Sequence, residues 1–228
     1  MTYNKELTDR LHALGAADVG FTQTKPLSET YADQLPYTIS ITVRLSDFVV
    51  DEIGTEPTFA YFQHYRTANA FIDRILFEIG TYIQNEGYRY LPIAASQSIP
   101  DGKGGLYGIV SHKAAARQAG LGSIGKNALF ISKQFGPRIR LGTLLTDMPL
   151  QTTTIAENPD ICGACTICTT KCPAMALRGQ VWQPGLQRDD IVDAAACSNY
   201  MKEKFQHIGR GAVCGICMRY CPHGMKKR

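Results

Sequence analysis

The chain has 228 residues, of which 44% are hydrophobic and 19% are charged, and its formal net charge is +4. These values are typical of a globular protein and exclude a disordered chain, which would combine low hydrophobicity with high net charge. No apolar run approaches the roughly 18 residues of a membrane span, and the N-terminal residues lack the apolar core of a signal peptide. We therefore expect no membrane association and a cytoplasmic location.

The N-terminal third of the chain predicts two helices and two strands. Leucines at helical spacing predict a helix that ends at Gly15. β-branched residues and period-2 alternation predict strands at 19–21 and 37–45. The longest helical pattern runs over 58–86, with apolar residues along one side, and ends at Gly87.

The middle of the chain predicts shorter elements. A strand is expected at 88–94, and Ser111 is the predicted N-cap of a short helix that ends at Gly120. Two further strands, at 127–132 and 139–146, are expected to pair as a hairpin. Because helices and strands alternate irregularly, the predicted fold class is α+β with a mixed sheet.

All eight cysteines lie in the C-terminal third, in two runs with ferredoxin spacing. The first run reads C-x₂-C-x₂-C-x₃-C-P from Cys162 to Pro173, and Cys197 followed by Cys214–Pro222 forms a partial second run. In ferredoxins with two 4Fe–4S clusters, three thiolates of one run and the fourth of the other hold each cluster. One predicted cluster therefore has the ligands Cys162, Cys165, Cys168 and Cys221, and the other has Cys172, Cys197, Cys214 and Cys217.

Disulfides, structural zinc and scattered free thiols fit the pattern of these cysteines less well. Disulfides are typical of small secreted scaffolds, whereas this chain has none of its cysteines in the first 161 residues. Structural zinc sites usually pair two C-x₂-C knuckles, which a third cysteine followed by Cys-Pro does not match. Scattered buried thiols would not keep ferredoxin spacing.

A polar segment at 151–160 reads as a linker, so the predicted domains are residues 1–150 and 151–228. The basic and acidic residues of the first domain balance, and the second domain carries the whole excess of +4. We interpret this excess as counter-charge for two anionic clusters. A nucleic-acid surface is the competing interpretation, but the excess is small and lacks interleaved aromatic residues.

The second informative segment is glycine-rich and precedes the cysteines. Glycines let backbone N–H groups approach a ligand closely, although a tight connection alone would also require them. The spacing before Lys126 does not match a phosphate-binding loop, and a dinucleotide fingerprint would follow a strand, whereas a helix is predicted before this segment. The segment consists of Gly120, Leu121, Gly122, Ser123, Ile124, Gly125, Lys126 and Asn127.

Four motifs in one order carry a resemblance to a known superfamily. They are AGLGSIGKN, FGPRIRLGTLLTDMPL, CGACTICTTKCPAMAL and CGICMRYCP, and they span roughly residues 105–222. In this order they resemble the epoxyqueuosine reductases and the reductive dehalogenases. The resemblance implies an N-terminal domain of nitroreductase-like ancestry that binds cobalamin, followed by a small ferredoxin-like domain with two 4Fe–4S clusters.

The resemblance also implies site residues outside the cysteines. Gly120–Asn127 would lie against the corrinoid, and His64, Tyr65 and Arg66 match a run that could face the ligand pocket in short relatives. Tyr107 is a candidate proton donor, with Asp101 as a weaker one, because the acidic residue of the epoxyqueuosine reductases is absent from 105–108. His112 could approach the corrinoid or donate a proton.

The function that follows is an iron–sulfur, cobalamin-dependent reductase. Electrons from a ferredoxin or flavodoxin would pass through the two clusters to the corrinoid, which would reduce a small-molecule substrate. The chain ends seven residues after Cys221, without the C-terminal extension that holds the substrate in the tRNA enzymes, which argues against tRNA as a partner. The alternative is a non-catalytic electron carrier, or a reductive activator of a corrinoid protein.

Overall fold

The computed structural model describes residues 3–99, 106–153, 155 and 157–225. Its helices are α1 (Tyr3–Ala13), α2 (Glu29–Ala32), α3 (Asp47–Asp51), α4 (Phe59–Asn85), α5 (His112–Gln118), α6 (Ile167–Lys171), α7 (Ala194–Lys204) and α8 (Ile216–Arg219). Its strands are β1 (Asp18–Gln23), β2 (Tyr37–Arg44), β3 (Tyr90–Ile93), β4 (Gly122–Ile124), β5 (Phe130–Ser132) and β6 (Ile139–Thr146). Short 3₁₀ turns cover Arg188–Asp190 and Pro222–Gly224.

Local sequence signals account for the ends of the N-terminal elements. Gly15 follows α1 with a φ of +103°, a left-handed conformation that favours glycine and ends the helix. Ser111 caps α5, since its hydroxyl accepts a hydrogen bond of 3.3 Å from the backbone N–H of Ala114. The helices and strands predicted before residue 121 are therefore confirmed, with boundaries that shift by one or two residues.

The larger sheet has four strands in the order β1-β2-β6-β3. The pair β1–β2 is antiparallel, with Phe21 opposite Ile39, and the pair β3–β6 is antiparallel, with Leu91 opposite Leu145. Helices and an antiparallel-paired sheet confirm the α+β class. The nitroreductase-like ancestry of this part of the chain stays a prediction.

The predicted hairpin between 127–132 and 139–146 is wrong. Strand β5 pairs with β4 in a separate two-stranded sheet, and β6 instead joins the larger sheet between β2 and β3. Gly136 turns the chain at a φ of +57°, and Ser132 and Gly136 form only an isolated bridge. The predicted hairpin fails because β6 is an eight-residue, almost wholly buried strand. It pairs with β2, of eight residues, and β3, of four, both of which are longer than the three-residue β5.

An apolar core packs α1 and α4 against the larger sheet. Gly142 of β6 permits this close approach, because a Cβ atom there would lie 2.6 Å from Cγ2 of Ile72 on α4. Fully or almost fully buried side chains of this core include Leu7, Leu11, Ile39, Ile41, Ile72, Ile75, Leu76, Ile79, Ile83 and Leu144.

The chain divides into two compact units that are not contiguous in sequence. We call the first the sheet unit, formed within Met1–Arg44, Ala68–Leu121 and Arg140–Ala156. The second, the cysteine unit, is formed within Leu45–Thr67, Gly122–Ile139 and Glu157–Arg228. The expected domain boundary at 150 therefore differs from this division, because two earlier segments pack with the cysteine runs.

In the described ranges, no helix combines the length and the apolar character that crossing a bilayer requires.

Candidate iron–sulfur site

Four cysteine thiols from the two runs line one cavity of about 80 Å³ in the cysteine unit. The loop before α6 supplies Cys162 and Cys165, shaped by a turn in which the N–H of Cys165 donates to the carbonyl of Cys162 at 2.9 Å, and α6 itself supplies Cys168. The fourth, Cys221, follows α8. We call these residues the first cysteine set: Cys162, Cys165, Cys168 and Cys221.

Burial and the charge of neighbouring thiolates raise the pKa values of two thiols of this set, Cys168 and Cys221. Burial raises the pKa of Cys168, and the charges of Cys162 and Cys165 raise it further. Burial likewise raises the pKa of Cys221 to about 11, with smaller contributions from the same neighbouring thiolates. The pKa values of Cys168 and Cys221 therefore respond to the charge of the other thiols of the set, as expected for side chains around a common cavity.

The remaining cysteines form a second group. We call it the second cysteine set: Cys172 at the end of α6, Cys197 on α7, and Cys214 and Cys217 around the start of α8. Burial raises the pKa of Cys214 to about 11, with further contributions from Cys197 and Cys172. Burial also raises the pKa of Cys217, and the charge of Cys168, from the first set, adds to this rise. The two sets are therefore neighbours.

All eight cysteines are free thiols, so the structure pairs none of them in a disulfide. In the part of the chain that the structure describes, no three His, Cys, Asp or Glu side chains converge as the ligands of a single metal ion do. The ligands of a cubane surround a group of atoms and need not converge on one point.

The glycine-rich segment has a different environment from the one expected. Gly122 starts β4, and a Cβ atom there would lie 2.1 Å from the carbonyl oxygen of Ile131 on β5. A Cβ atom on Gly125 would lie 2.5 Å from Cδ1 of Ile131 and 3.3 Å from Sγ of Cys162. Neighbouring atoms of the chain therefore occupy the space beside both glycines, and contact of this segment with a corrinoid stays a prediction.

The end of this segment contributes to the cysteine cavity. Lys126 and Asn127 both line the cavity. The ammonium of Lys126 donates to the carbonyl of Gly163 at 2.6 Å and to that of Cys165 at 3.4 Å. These two residues were expected at a corrinoid, and the structure places them beside the first cysteine set.

Asn158 joins the glycine-rich segment to the cysteine runs. Its buried side chain accepts from the N–H of Ile124 at 2.7 Å and donates to the carbonyls of Ile124 at 3.1 Å and Trp182 at 2.8 Å. Asp160 accepts from the N–H groups of Cys162 and Gly163 at 2.9 and 3.0 Å. Sequence reasoning placed both residues in a linker and missed these roles.

The FGPR motif supports the second cysteine run. A Cβ atom on Gly136 would lie 2.1 Å from the carbonyl oxygen of His223, so only glycine permits this contact. The buried guanidinium of Arg138 donates to a carboxylate oxygen of Asp51 at 2.7 Å. Arg219 on α8 donates to the backbone carbonyl of the same Asp51 at 3.1 Å, which ties α3 to α8.

The polar run on α4 lies in the cysteine unit, but it does not line the cysteine cavity. The Nε2 atom of His64 accepts from the N–H of Ser46 at 3.0 Å, and burial lowers its pKa. The ring of Tyr65 lies 6.5 Å from that of Tyr61, and the guanidinium of Arg66 lies 5.7 Å from the ring of Phe62. A ligand role for His64, Tyr65 and Arg66 stays a prediction.

The two candidate proton donors lie in the sheet unit. Tyr107 is 42% exposed, and its carbonyl accepts from the N–H of Ile99 at 2.9 Å. His112 lies 2.8 Å from the hydroxyl of Thr143 through Nδ1 and 3.1 Å from the carbonyl of Ala94 through Nε2. Both ring nitrogens of His112 therefore lie within hydrogen-bonding distance of groups of the fold. Catalysis by Tyr107 or His112 stays a prediction. Asp101 lies outside the described residues.

Comparison with known proteins identifies the cysteine runs and the fold. Residues 161–224 match the family described as 4Fe-4S double cluster binding domain. The chain is 28% identical over 209 residues to the epoxyqueuosine reductase of Aliivibrio fischeri, an alignment that covers 82% of this chain and 50% of the relative. The chain therefore spans half or less of the curated relatives it matches.

Two solved structures share the fold at low sequence identity. A reductive dehalogenase, described with a mechanism for B12-dependent dehalogenation, superposes with a TM-score of 0.76 at 18% identity over 99% of this chain and 32% of its own. An epoxyqueuosine reductase bound to an epoxyqueuosine-modified tRNA-Tyr stem loop superposes with a TM-score of 0.62 at 17% identity over 97% and 65%.

These findings overturn one prediction and support another. The argument against tRNA as a partner is wrong, because the matching relatives are epoxyqueuosine reductases and a structural neighbour was solved with a tRNA stem loop. The resemblance inferred from the motifs is confirmed: the chain is related in sequence to the epoxyqueuosine reductases and shares its fold with them and with the reductive dehalogenases.

Proposed function

We propose that the chain is an iron–sulfur oxidoreductase that holds one 4Fe–4S cluster on each cysteine set. The observation that carries this proposal is the cavity of about 80 Å³, which four thiols from both cysteine runs line together. A water molecule needs only about 10–15 Å³ by this measure, so the cavity has room for a group of several atoms. Four thiols around such a group are the donor set of a cubane cluster.

The residues around the cavity have separable tasks. The four thiolates of the first set would bind iron, and the burial of Cys168 and Cys221 limits access of water and oxidants on their side. Lys126 and Asp160 fix the backbone of the loop that carries Cys162 and Cys165. When bound, a cluster supplies one-electron transfer, and the neighbouring positions of the two sets support passage of electrons between them.

Iron and sulfide analysis after anaerobic reconstitution tests this proposal. We expect about eight iron and eight sulfide per chain, as two cubanes require. Cys172→Ala should remove the cluster of the second set and leave that of the first, although Cys172 belongs to the first run. Zinc without sulfide would contradict the cluster proposal, and loss of the first cluster in Cys172→Ala would contradict the crossed grouping.

We also propose cobalamin as the electron acceptor, on the strength of the relatives. The B12-dependent dehalogenase shares the fold, whereas the filled space at Gly122 and Gly125 favours the alternative of an electron carrier without a corrinoid. Titration of the reconstituted protein with hydroxocobalamin separates the two functions. Saturable binding near one equivalent supports the reductase, and absence of binding supports the carrier.

If cobalamin binds, Tyr107→Phe tests the proposed proton donor. The change removes one hydroxyl with almost no change of volume, so cobalamin binding should persist while the reductive step slows. An unchanged single-turnover rate would contradict the role of Tyr107 as proton donor. His112→Gln serves as the comparison, because the ring of His112 is already engaged by Thr143 and Ala94.

The substrate and the electron donor are open to direct assay. Because the relatives are epoxyqueuosine reductases, the first substrate to test is a tRNA stem loop that carries epoxyqueuosine. We propose a ferredoxin or a flavodoxin as the donor, in keeping with the cytoplasmic location predicted from the sequence. Conversion of the stem loop by protein with both clusters and cobalamin would assign the family activity, and failure would direct the search to small molecules.

A further inference from the structure

The two cysteine sets differ in the charged side chain that accompanies them. Lys126 lines the cavity of the first set, and its ammonium donates to the carbonyls of Gly163 and Cys165. These bonds hold the positive charge beside the loop that carries Cys162 and Cys165. An ammonium fixed there stabilises added negative charge on that set.

The second set has a carboxylate instead. Asp193 is the N-cap of α7 and accepts from the N–H of Ala196 at 2.8 Å. Cys197 lies in the first turn of α7, and its N–H donates to the carbonyl of Asp193 at 3.1 Å. These bonds hold the carboxylate of Asp193 one turn before Cys197, where a negative charge opposes further negative charge on the set.

We propose that this difference of charge orders the two reduction potentials, with the cluster of the first set the more easily reduced. The inference rests on the proposed function, since it concerns the same two cysteine sets. Reduction adds one negative charge to a cluster that is already anionic. Lys126 lowers the energy of that reduced state at the first set, and Asp193 raises it at the second.

Asp160 also lies near the first set, and its charge opposes that of Lys126. Its carboxylate accepts from the N–H groups of Cys162 and Gly163 and remains exposed. It does not line the cavity, and solvent screens an exposed charge strongly. The effect of Lys126 therefore prevails at the first set.

The order of potentials gives electron transfer a direction within the cysteine unit. With both sets loaded, one electron would pass from the second set's cluster, which would be oxidised, to the first set's cluster, which would be reduced, without movement of a proton. The electron enters from a low-potential carrier protein of the ferredoxin or flavodoxin class. Lys126 and Asp193 would influence this transfer through the reduction potentials of the clusters, rather than by contact with a substrate.

Redox titration of the reconstituted protein, monitored by electron paramagnetic resonance, tests the role of Lys126. Lys126→Gln keeps a hydrogen-bond donor and removes the charge, so the potential of the first cluster should become more negative. Lys126→Arg should restore most of the wild-type value. Lys133→Gln is the matched control, because Lys133 is an exposed lysine of the same unit and does not line the cavity.

The complementary variant is Asp193→Asn, which retains an N-cap residue and removes the charge. It should shift the potential of the second cluster to a less negative value, and the double variant should narrow the gap further. Unchanged potentials in Lys126→Gln and Asp193→Asn with full iron content would overturn this inference alone. Failure of the wild-type chain to bind iron and sulfide would instead overturn the proposed function. If Lys126→Gln binds no iron, the cluster potentials measured in Asp193→Asn and in Lys126→Arg test the inference in its place.

Discussion

The two units of the molecule are stabilised by different interactions. The sheet unit has a continuous apolar core, in which Ile75, Ile79 and Leu144 are 1% exposed or less. The cysteine unit has short helices and strands, and its interior includes buried polar side chains such as Asn158 and Arg138. The sheet unit is stabilised mainly by hydrophobic burial, whereas the cysteine unit adds to such burial the hydrogen bonds of these polar side chains and whatever its cysteines bind.

The largest effect should follow from removing a cluster ligand. Cys221→Ala leaves the first set with three thiols, so about half of the bound iron and sulfide should be lost while the second cluster remains. Chemical analysis with electron paramagnetic resonance measures this loss. Far-UV circular dichroism should show that the sheet unit keeps its structure. Unfolding of the whole chain would contradict the view that the two units are stabilised by different interactions.

The sheet unit should respond to a cavity in its core. Ile79→Ala removes buried methyl groups from α4 and should lower the free energy of unfolding by about 2–5 kcal/mol. Denaturant titration measures the change. Iron and sulfide content should stay at the wild-type level under native conditions, and reduced cluster content in this variant would show that the units are not stabilised separately.

The cysteine unit should respond to loss of a polar side chain instead. Asn158→Ala leaves backbone groups of Ile124 and Trp182 without their partner and should cost about 2–3 kcal/mol. Because β4 leads directly to Gly125 and Lys126, cluster content should fall as well. Gln183→Ala is the control, since Gln183 is exposed and its side chain donates to the backbone carbonyl of Asn158 rather than to Ile124 or Trp182. Equal cluster loss in both variants would contradict a specific role for Asn158.

The smallest effect concerns pH and the sheet unit. Burial lowers the pKa of His112, so protons bind preferentially to the unfolded chain once the pH falls below about 6.5. The stability present above that pH is therefore lost as the pH falls toward the folded-state pKa. His112→Gln should reduce this loss by an amount of the order of 1 kcal/mol, measured as the difference between unfolding at pH 7.5 and at about pH 5.5. A pH dependence identical to that of the wild type would show that His112 does not contribute.

The sequence predicts the sheet unit well, because its elements are long enough for periodicity to show. Helix α4 has 27 residues and β2 has eight, and both were expected within two residues of their ends. Strand β4 has three residues, too few for any period, and its partner β5 was assigned to the wrong pairing. Short strands are specified by contacts that a local pattern does not contain.

At the candidate site, spacing specifies the cysteines but not their surroundings. The grouping of eight cysteines in two sets follows from ferredoxin spacing, and the structure brings each set together. Lys126 and Asn158 meet their partners across 37 and 34 residues of sequence, respectively. No motif signals such contacts, so the sequence did not predict that the end of the glycine-rich segment lies beside the cysteines.

The crossed grouping of cysteines also constrains how the protein is made. The first set needs Cys221 in addition to the early run, and the second needs Cys217 in addition to Cys172. During translation, neither set is complete until the second run has left the ribosome, so Cys162, Cys165 and Cys168 wait as a three-thiol fragment. If the clusters have the proposed ligands, insertion into either set would therefore follow synthesis of the second run.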